Sequence, residues 1–174
     1  MTLLEKLSSE IYDFLESVIS AVIFVAIVLV FFVRVAVVDG ESMIPTLQDT
    51  DKLIISDFSK DYEHGDVVVI HQEDGVTLVK RIIATGGDVV DIDFERGVVS
   101  VNGTELDEPY TAEPTYLNYG DGQEYPLTIP EGYLFCMGDN RNHSLDSRSN
   151  LIGLIDEQYI IGKMVLDLNN KEAK

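Results

Sequence analysis

The stretch DGESMIPTL, residues 39–47, separates two parts of the sequence that have different patterns. A long apolar run precedes it, and short segments that alternate apolar and polar residues follow it. Within the stretch, Pro45 lacks a backbone N–H and biases Ile44 towards an extended conformation, so a helix cannot continue through this point. Ser42 therefore lies on irregular backbone, where most serines only cap or turn the chain.

The apolar run before this stretch predicts one transmembrane helix over residues 18–38. Every residue from 18 to 33 except Ser20 is apolar, and the apolar character resumes after Arg34. About 20 residues at ~1.5 Å each span the hydrocarbon core of a bilayer. Residues 1–17 carry apolar side chains at steps of three and four, as an amphipathic helical lead-in does.

Two alternatives to a membrane anchor stay open. A cleaved signal peptide is opposed by the acidic N-terminus and by the lack of an A-x-A site after the apolar run. A buried core helix is opposed by the length of a segment that is apolar on every face.

The composition excludes several classes of function. Acidic residues outnumber basic ones 31 to 12, which gives a net charge of −19 among 174 residues. A surface this negative repels nucleic acid and anionic headgroups. The single cysteine, Cys136, excludes an intrachain disulfide, and the three histidines show no metal-binding spacing. We therefore expect no nucleic acid, no metal and no cofactor.

After residue 47 the pattern predicts a mainly β, antiparallel domain. Short segments rich in Val and Ile alternate with turn signals such as Gly-Gly-Asp and Asn-Gly. The predicted strands are residues 52–56, 66–71, 76–83, 89–94, 98–102 and 132–137. A turn is predicted near residues 156–159, and 108–126 is the longest predicted loop.

Lys80 occupies an unusual position in the strand VTLVKRII, residues 76–83. Period-two alternation places it on the same face as Leu78 and Ile82. Burial penalises the charged form of lysine, and a neutral lysine can act as a general base towards a serine hydroxyl such as that of Ser42. The alternative without a catalytic role is a serine that caps a turn, together with a lysine that reaches solvent from an edge strand.

The third notable stretch is GDNRNHSLDSR, residues 138–148, which follows an apolar strand. It is too polar for a core and too irregular for a helix. A cation-binding loop is excluded because Arg141 occupies a position that would need an oxygen ligand. A solvated charged turn stays open as an alternative. His143 is a rival base, although a solvated loop histidine accounts for it.

Together these features resemble bacterial type I signal peptidase. The matching elements are SMxPTL after an apolar anchor, Lys80-Arg81 in an apolar strand, and GDNRxxSxDSR. The resemblance extends from the anchor to about Gly162, and the small size with one anchor is similar to the Gram-positive form. It implies a signal-peptidase-like β domain that cleaves signal peptides from exported preproteins after small residues at −1 and −3.

The resemblance also implies an arrangement in the membrane. Residues 1–17 would be a cytoplasmic lead-in, 18–38 a single-pass transmembrane helix in the plasma membrane, and 39–174 an extracytoplasmic catalytic domain. The expected partners are preproteins that bear signal peptides and the lipid bilayer.

Position by position, the resemblance assigns roles to individual residues. Ser42 would be the nucleophile, Lys80 the general base and Ser144 the serine that orients the lysine. Gly40 falls in the oxyanion region, where Gram-negative relatives have a serine. Two ion pairs are expected, Asp139 with Arg81 and Asp146 with Arg148. The expected apolar walls of the substrate pocket are Val38, Met43, Leu47, Leu53, Leu78 and Val79.

Two other functions remain open at this stage. One is a self-cleaving, repressor-type peptidase with the same serine and lysine, which the apolar anchor and the lack of a DNA-binding domain oppose. The other is an anchored β domain that binds exported chains without cutting them. The presence of Ser42, Lys80 and Ser144 together favours a peptidase over this binding domain.

Overall fold

The computed structural model describes residues 3–58, 60–72, 75–120 and 122–169. In these ranges the chain forms one helix, eleven strands and one 3₁₀ turn at Glu157–Tyr159. The helix is α1, Leu3–Phe32. The strands are β1 (Val33–Val37), β2 (Lys52–Ser56), β3 (Val67–His71), β4 (Thr77–Ala84), β5 (Val89–Asp93), β6 (Val98–Val101), β7 (Thr104–Glu105), β8 (Leu127–Thr128), β9 (Tyr133–Met137), β10 (Ile155–Asp156) and β11 (Ile160–Asp167). The helical unit ends at Arg34, and the β unit begins at Val35.

The predicted lead-in and apolar run form one continuous helix, α1, of 30 residues. The sequence predicts that the helix continues to Val38, and this is wrong, because Val33–Val37 form β1. Valines alternate with Arg34 and Ala36 in this segment, and β-branched side chains favour a strand over a helix. Within the part of the chain whose side chains the structure describes, no helix combines the length and the apolar character needed to cross a membrane.

The β unit contains two sheets. The larger has seven strands in the order β1-β2-β11-β3-β4-β9-β10, and its neighbours from β2 to β10 run antiparallel. The smaller has four antiparallel strands in the order β7-β6-β5-β8. The predicted mainly β, antiparallel fold is therefore confirmed, and the six predicted strands match the observed bounds within one residue at each end.

Strand β11 lies between β2 and β3 in the larger sheet and was not predicted from the sequence. The pairing register of β11 shifts between Ile160 and Gly162 and again between Met164 and Leu166. Each shift breaks the period-two alternation that identifies a strand in a sequence. The predicted turn before β11 is the 3₁₀ turn Glu157–Tyr159.

Three apolar clusters form the core. The first joins the two sheets and contains Ile83, Ala84, Val90, Ile92, Val99, Ile129, Phe135 and Met137. The second lies beneath the loop that follows β1 and contains Val38, Met43, Leu47, Leu53, Ile55, Val67 and Val69. The third contains Val68, Ile70, Ile82, Leu134, Cys136, Ile155 and Ile160. Strand β4 contributes to the first and third clusters, and its second half, from Lys80 to Ala84, is buried on both faces.

Candidate active site

Strand β4 and the loop after β1 bring Lys80 and Ser42 together. Lys80 is only 3% exposed, and its backbone is paired with Val68 on β3. Its Nζ donates a hydrogen bond to Ser42 Oγ at 2.6 Å. Ser42 itself is partly exposed. The hydroxyl is therefore open to solvent from one side and contacts a buried amine on the other.

The loop of residues 39–47 is fixed to the core by two of its apolar side chains. Met43 and Leu47 are each 1% exposed and belong to the cluster beneath the loop. The N–H of Leu47 donates to the carbonyl of Met43 at 2.9 Å, which closes a tight turn next to Ser42. The sequence predicts both residues as walls of a substrate pocket, but the structure places them in the core.

The surroundings of Lys80 lower its pKa on balance. Burial lowers the pKa of Lys80 from its ordinary value of 10.5, and this is the largest effect. The carboxylate of Asp146 raises the pKa in opposition, while the guanidinium of Arg148 lowers it further. A lowered pKa increases the neutral fraction of Lys80 at any pH near that pKa, and only the neutral amine can accept a proton.

Ser144 lies in the site, but none of the hydrogen bonds in the described ranges joins it to Lys80. Its Oγ donates to Asp146 Oδ2 at 2.8 Å instead. A carboxylate is a strong acceptor, so a buried hydroxyl beside it donates to it. Ser144 also packs against Gly138, where an added Cβ would collide with Ser144 and with the carbonyl of Ser42. The direct contact expected from the resemblance is therefore replaced by one to Asp146.

Asp139 and Arg81 form a buried ion pair that joins the loop after β9 to β4. Arg81 Nε donates to Oδ1 at 2.8 Å and Nη2 donates to Oδ2 at 2.6 Å, which makes the pair bidentate. The hydroxyl of Thr46 donates to the same Oδ2 at 2.5 Å. Asp139 thus connects the strand of Lys80 with the loop of Ser42.

Asp146 and Arg148 form a second bidentate pair, which is internal to the segment 138–148. Nε of Arg148 donates to Oδ1 of Asp146 at 2.8 Å, and Nη2 donates to Oδ2 at 2.9 Å. Asp146 Oδ2 also accepts from the N–H of Gly138 at 3.0 Å. The expected pair therefore forms, and it folds the segment onto itself.

Two backbone N–H groups near Ser42 differ in their availability. The N–H of Gly40 donates to Asp49 Oδ1 at 2.9 Å and is therefore occupied. Gly40 has φ of +97°, which favours glycine at this position. The N–H of Ser42 makes no hydrogen bond to any residue in the described ranges. Of these two groups, the one on Ser42 is free to bind an incoming oxygen.

A cleft of about 300 Å³ opens beside Ser42 and Lys80. Three of the predicted wall residues line it, namely Val38, Leu78 and Val79. Leu53, also predicted as a wall, is 0% exposed and belongs to the core together with Met43 and Leu47. The lining of the cleft is therefore formed by the end of β1 and the first half of β4.

Comparison with known proteins identifies the family. The model of the family described as "Signal peptidase, peptidase S26" matches residues 11–168. The chain belongs to this family. Signal peptidase I P of Bacillus subtilis subsp. natto is 34% identical over 168 positions, covering 91% of this chain and 89% of the relative. Signal peptidase IB of Staphylococcus aureus (strain COL) is 33% identical over 174 positions, covering 91% and 89%.

A solved structure is also similar. The crystal structure of a signal peptidase I from Enterococcus faecalis V583 has 27% sequence identity and a TM-score of 0.48, covering 59% of this chain and 96% of that one. Membership of the signal peptidase family makes this chain a hydrolase of the serine protease type.

Three further residues, Glu108, Tyr110 and Arg141, pack around the signal peptidase site, and no role was predicted for them from the sequence. Arg141, 0% exposed, donates to both carboxylate oxygens of Glu108 at 2.7 and 2.8 Å. The guanidinium carbon of Arg81 lies 4.1 Å from the centre of the Tyr110 ring, a cation–π contact. Both Glu108 and Tyr110 lie between the anchor and about Gly162, the range over which the sequence resembles the family, and that resemblance was the available signal.

The Asp139→Asn variant tests the link between β4 and the loop after β9. The substitution leaves the buried guanidinium of Arg81 without its counter-charge, and breaking a buried pair in this way costs about 3–5 kcal/mol. We expect a loss of that size in the free energy of unfolding, measured by urea denaturation monitored by circular dichroism.

The matched control for this variant is Glu105→Gln. It breaks the pair between Arg96 and Glu105, whose side chains are 61% and 59% exposed. Exposed ion pairs contribute little to stability, so this variant should have the same free energy of unfolding as the wild type. Equal losses in the two variants would show that burial of the Asp139–Arg81 pair does not matter to stability.

Proposed function

We propose that this chain is a membrane-bound serine endopeptidase that removes N-terminal signal peptides from exported preproteins. Ser42 is the nucleophile, and Lys80 is the general base. The observation that carries the proposal is the 2.6 Å contact between Lys80 Nζ and Ser42 Oγ, made by a lysine that is 3% exposed. The relatives that are named signal peptidase I support the choice of substrate.

The reaction follows from this contact. Neutral Lys80 accepts the proton of the Ser42 hydroxyl as Oγ attacks the carbonyl carbon of the residue at −1. The tetrahedral intermediate collapses when protonated Lys80 gives its proton to the leaving amine, and the mature protein departs. Lys80 then takes a proton from a water molecule as its oxygen attacks the acyl carbon. When this second tetrahedral intermediate collapses, the bond to Ser42 Oγ breaks, Lys80 returns the proton to Oγ, and the signal peptide leaves with a new carboxylate.

The oxyanion of each tetrahedral intermediate accepts a hydrogen bond from the backbone N–H of Ser42. That group is without an acceptor among the described residues, whereas the N–H of Gly40 is held by Asp49. Removing one such donor in known enzymes costs about 2.7–4 kcal/mol of transition-state stabilisation. Gly40 contributes its backbone conformation to the loop, and its N–H does not act as a second hydrogen-bond donor to the oxyanion.

The apolar walls of the cleft support a preference for small residues at −1 and −3. Its volume is about 300 Å³, and Val38, Leu78 and Val79 stand in its walls. Branched apolar side chains beside Ser42 leave shallow pockets that accept an alanine and exclude larger side chains. Met43, Leu47 and Leu53 do not line these pockets, because they are buried in the core.

Membrane attachment through α1 completes the proposal. Residues 18–33 are apolar except Ser20, and large apolar side chains are exposed along the helix, including Ile19 (58%), Val22 (62%) and Phe24 (68%). Such a surface favours a lipid environment over water. Single-pass attachment to the plasma membrane, with the β unit on the outer face, would hold Ser42 near the bilayer from which signal peptides emerge.

Cleavage of a preprotein tests the two central residues. The detergent-purified chain is incubated with a preprotein that has an Ala-x-Ala site, and the new N-terminus is read by mass spectrometry. We expect cleavage after the −1 alanine, with turnover lower by a factor on the order of 10⁴–10⁶ in Ser42→Ala and in Lys80→Ala, because each removes a group that transfers or accepts a proton in the transition state.

Ser100→Ala and Lys52→Ala are the matched controls for these variants. Ser100 and Lys52 lie outside the cleft, and we expect both variants to cleave as the wild type does. Full activity in Ser42→Ala or in Lys80→Ala, with the fold verified by circular dichroism, would refute the assigned mechanism.

Flotation with lipid vesicles tests the attachment. The full chain, reconstituted into phosphatidylcholine vesicles, should float with them after an alkaline wash. The double variant Val22→Asp/Val25→Asp should float less, because each aspartate at the centre of a membrane helix costs about 2.5–3.5 kcal/mol. Val165→Asp, an exposed position on β11, is the control and should float as the wild type does. A wild-type chain that stays with the soluble fraction would contradict the membrane-bound part of the proposal.

A further inference from the structure

Asn140 touches the backbone on both sides of Ser42. Its side-chain Nδ2 donates to the carbonyl of Glu41 at 3.0 Å. Its backbone N–H donates to the carbonyl of Ser42, also at 3.0 Å. Asn140 belongs to the loop after β9, and Ser42 to the loop after β1. One residue therefore fixes two successive peptide units of the nucleophile loop from a distant part of the chain.

The contact with Glu41 determines where the N–H of Ser42 points. A trans peptide unit is planar, and its C=O and N–H point in opposite directions. When Asn140 holds the carbonyl of Glu41, the N–H of Ser42 must point away from Asn140. A hydrogen bond to the carbonyl also polarises the peptide unit, which makes its N–H a better donor.

We infer that Asn140 is a positioning residue that orients and polarises the N–H of Ser42 as the oxyanion donor. This inference rests on the proposed function, since it gives Asn140 a role only if Ser42 is acylated. Asn140 does not touch the reacting atoms; it acts through the Glu41–Ser42 peptide unit.

The side chain of Asn140 can be removed without releasing the loop. The backbone bond between Asn140 and Ser42 persists in any variant that keeps a backbone N–H. The turn bond from Ile44 N–H to the carbonyl of Glu41, at 3.2 Å, also persists. Substitution therefore removes one of two donors to that carbonyl and leaves the connection between the loops in place.

The expected consequence is confined to the transition state. The substrate carbonyl gains its negative charge only as the tetrahedral intermediate forms, so a misaligned donor lowers kcat and leaves KM unchanged. Deleting an oxyanion donor lowers kcat by about 10²–10³-fold. Asn140→Ala keeps the donor but loosens it, so we expect a smaller fall in kcat, about 10- to 100-fold.

Three full-length variants test this inference. Asn140→Ala removes the side-chain donor, and Asn140→Asp replaces it with an acceptor of the same shape, so the second variant covers a failure of the first to fold. Asn102→Ala is the matched control, because Asn102 also makes side-chain hydrogen bonds, to Asp88 and to the N–H of Val89, but lies on a turn of the smaller sheet.

The measurements are kcat and KM with the preprotein, and the affinity of a peptide aldehyde that forms a hemiacetal with Ser42. We expect both Asn140 variants to lose kcat and aldehyde affinity by similar factors, at unchanged KM. Asn102→Ala should keep wild-type values of all three. In a Ser42→Ala background, Asn140→Ala should leave the affinity for the preprotein unchanged.

Two results would overturn the role of Asn140. One is kcat within about twofold of the wild type in both Asn140 variants. The other is a rise in KM or a loss of preprotein affinity at unchanged kcat, which would make Asn140 a substrate contact. Either result, obtained while the wild type cleaves and Ser42→Ala does not, would refute this inference and leave the proposed function intact.

Discussion

The buried contact between the amine of Lys80 and the hydroxyl of Ser42 is the constraint on which the arrangement of this β unit depends. A lysine that is 3% exposed loses the water that stabilises its charge, and burial accordingly lowers its pKa. A buried amine needs a polar partner, and Ser42 provides one at 2.6 Å. Strand β4 can present Lys80 in this way because its residues from Lys80 to Ala84 are buried on both faces.

A set of buried ions holds the two loops around this contact. Asp139 and Arg81 neutralise each other between β4 and the loop after β9, and Thr46 attaches the nucleophile loop to the same carboxylate. Each bidentate pair fixes the direction of a side chain as well as its charge. The geometry at Ser42 is thus set by contacts from segments that are far apart in the sequence, which is how a serine on an irregular loop can be held rigidly.

Much of the fold and part of the site could be predicted from the sequence. Period-two alternation identified six strands, and an apolar strand face pointed to the burial of Lys80. Strand β11 escaped because two shifts of register break its alternation. The sequence could not decide whether Ser144 would donate to Lys80 or to Asp146, since that depends on how residues 138–148 fold. Nor could the sequence decide whether Met43 lines the substrate pocket or packs in the core, because an apolar residue beside a nucleophile can point towards either.

The central claim is that Lys80 holds a lowered pKa in the folded protein, and its titration tests this directly. Lysines labelled with ¹³C at Cε are followed by NMR as the pH is raised, with Lys80→Met used to assign the signal. The account predicts that Lys80 titrates at a lower pH than the exposed lysines, whose usual pKa is about 10.4. Because the folded state then binds fewer protons than the unfolded one between the lowered pKa and 10.5, stability relative to Lys80→Met should rise with pH across that interval. A Lys80 signal that titrates together with the exposed lysines would contradict the account.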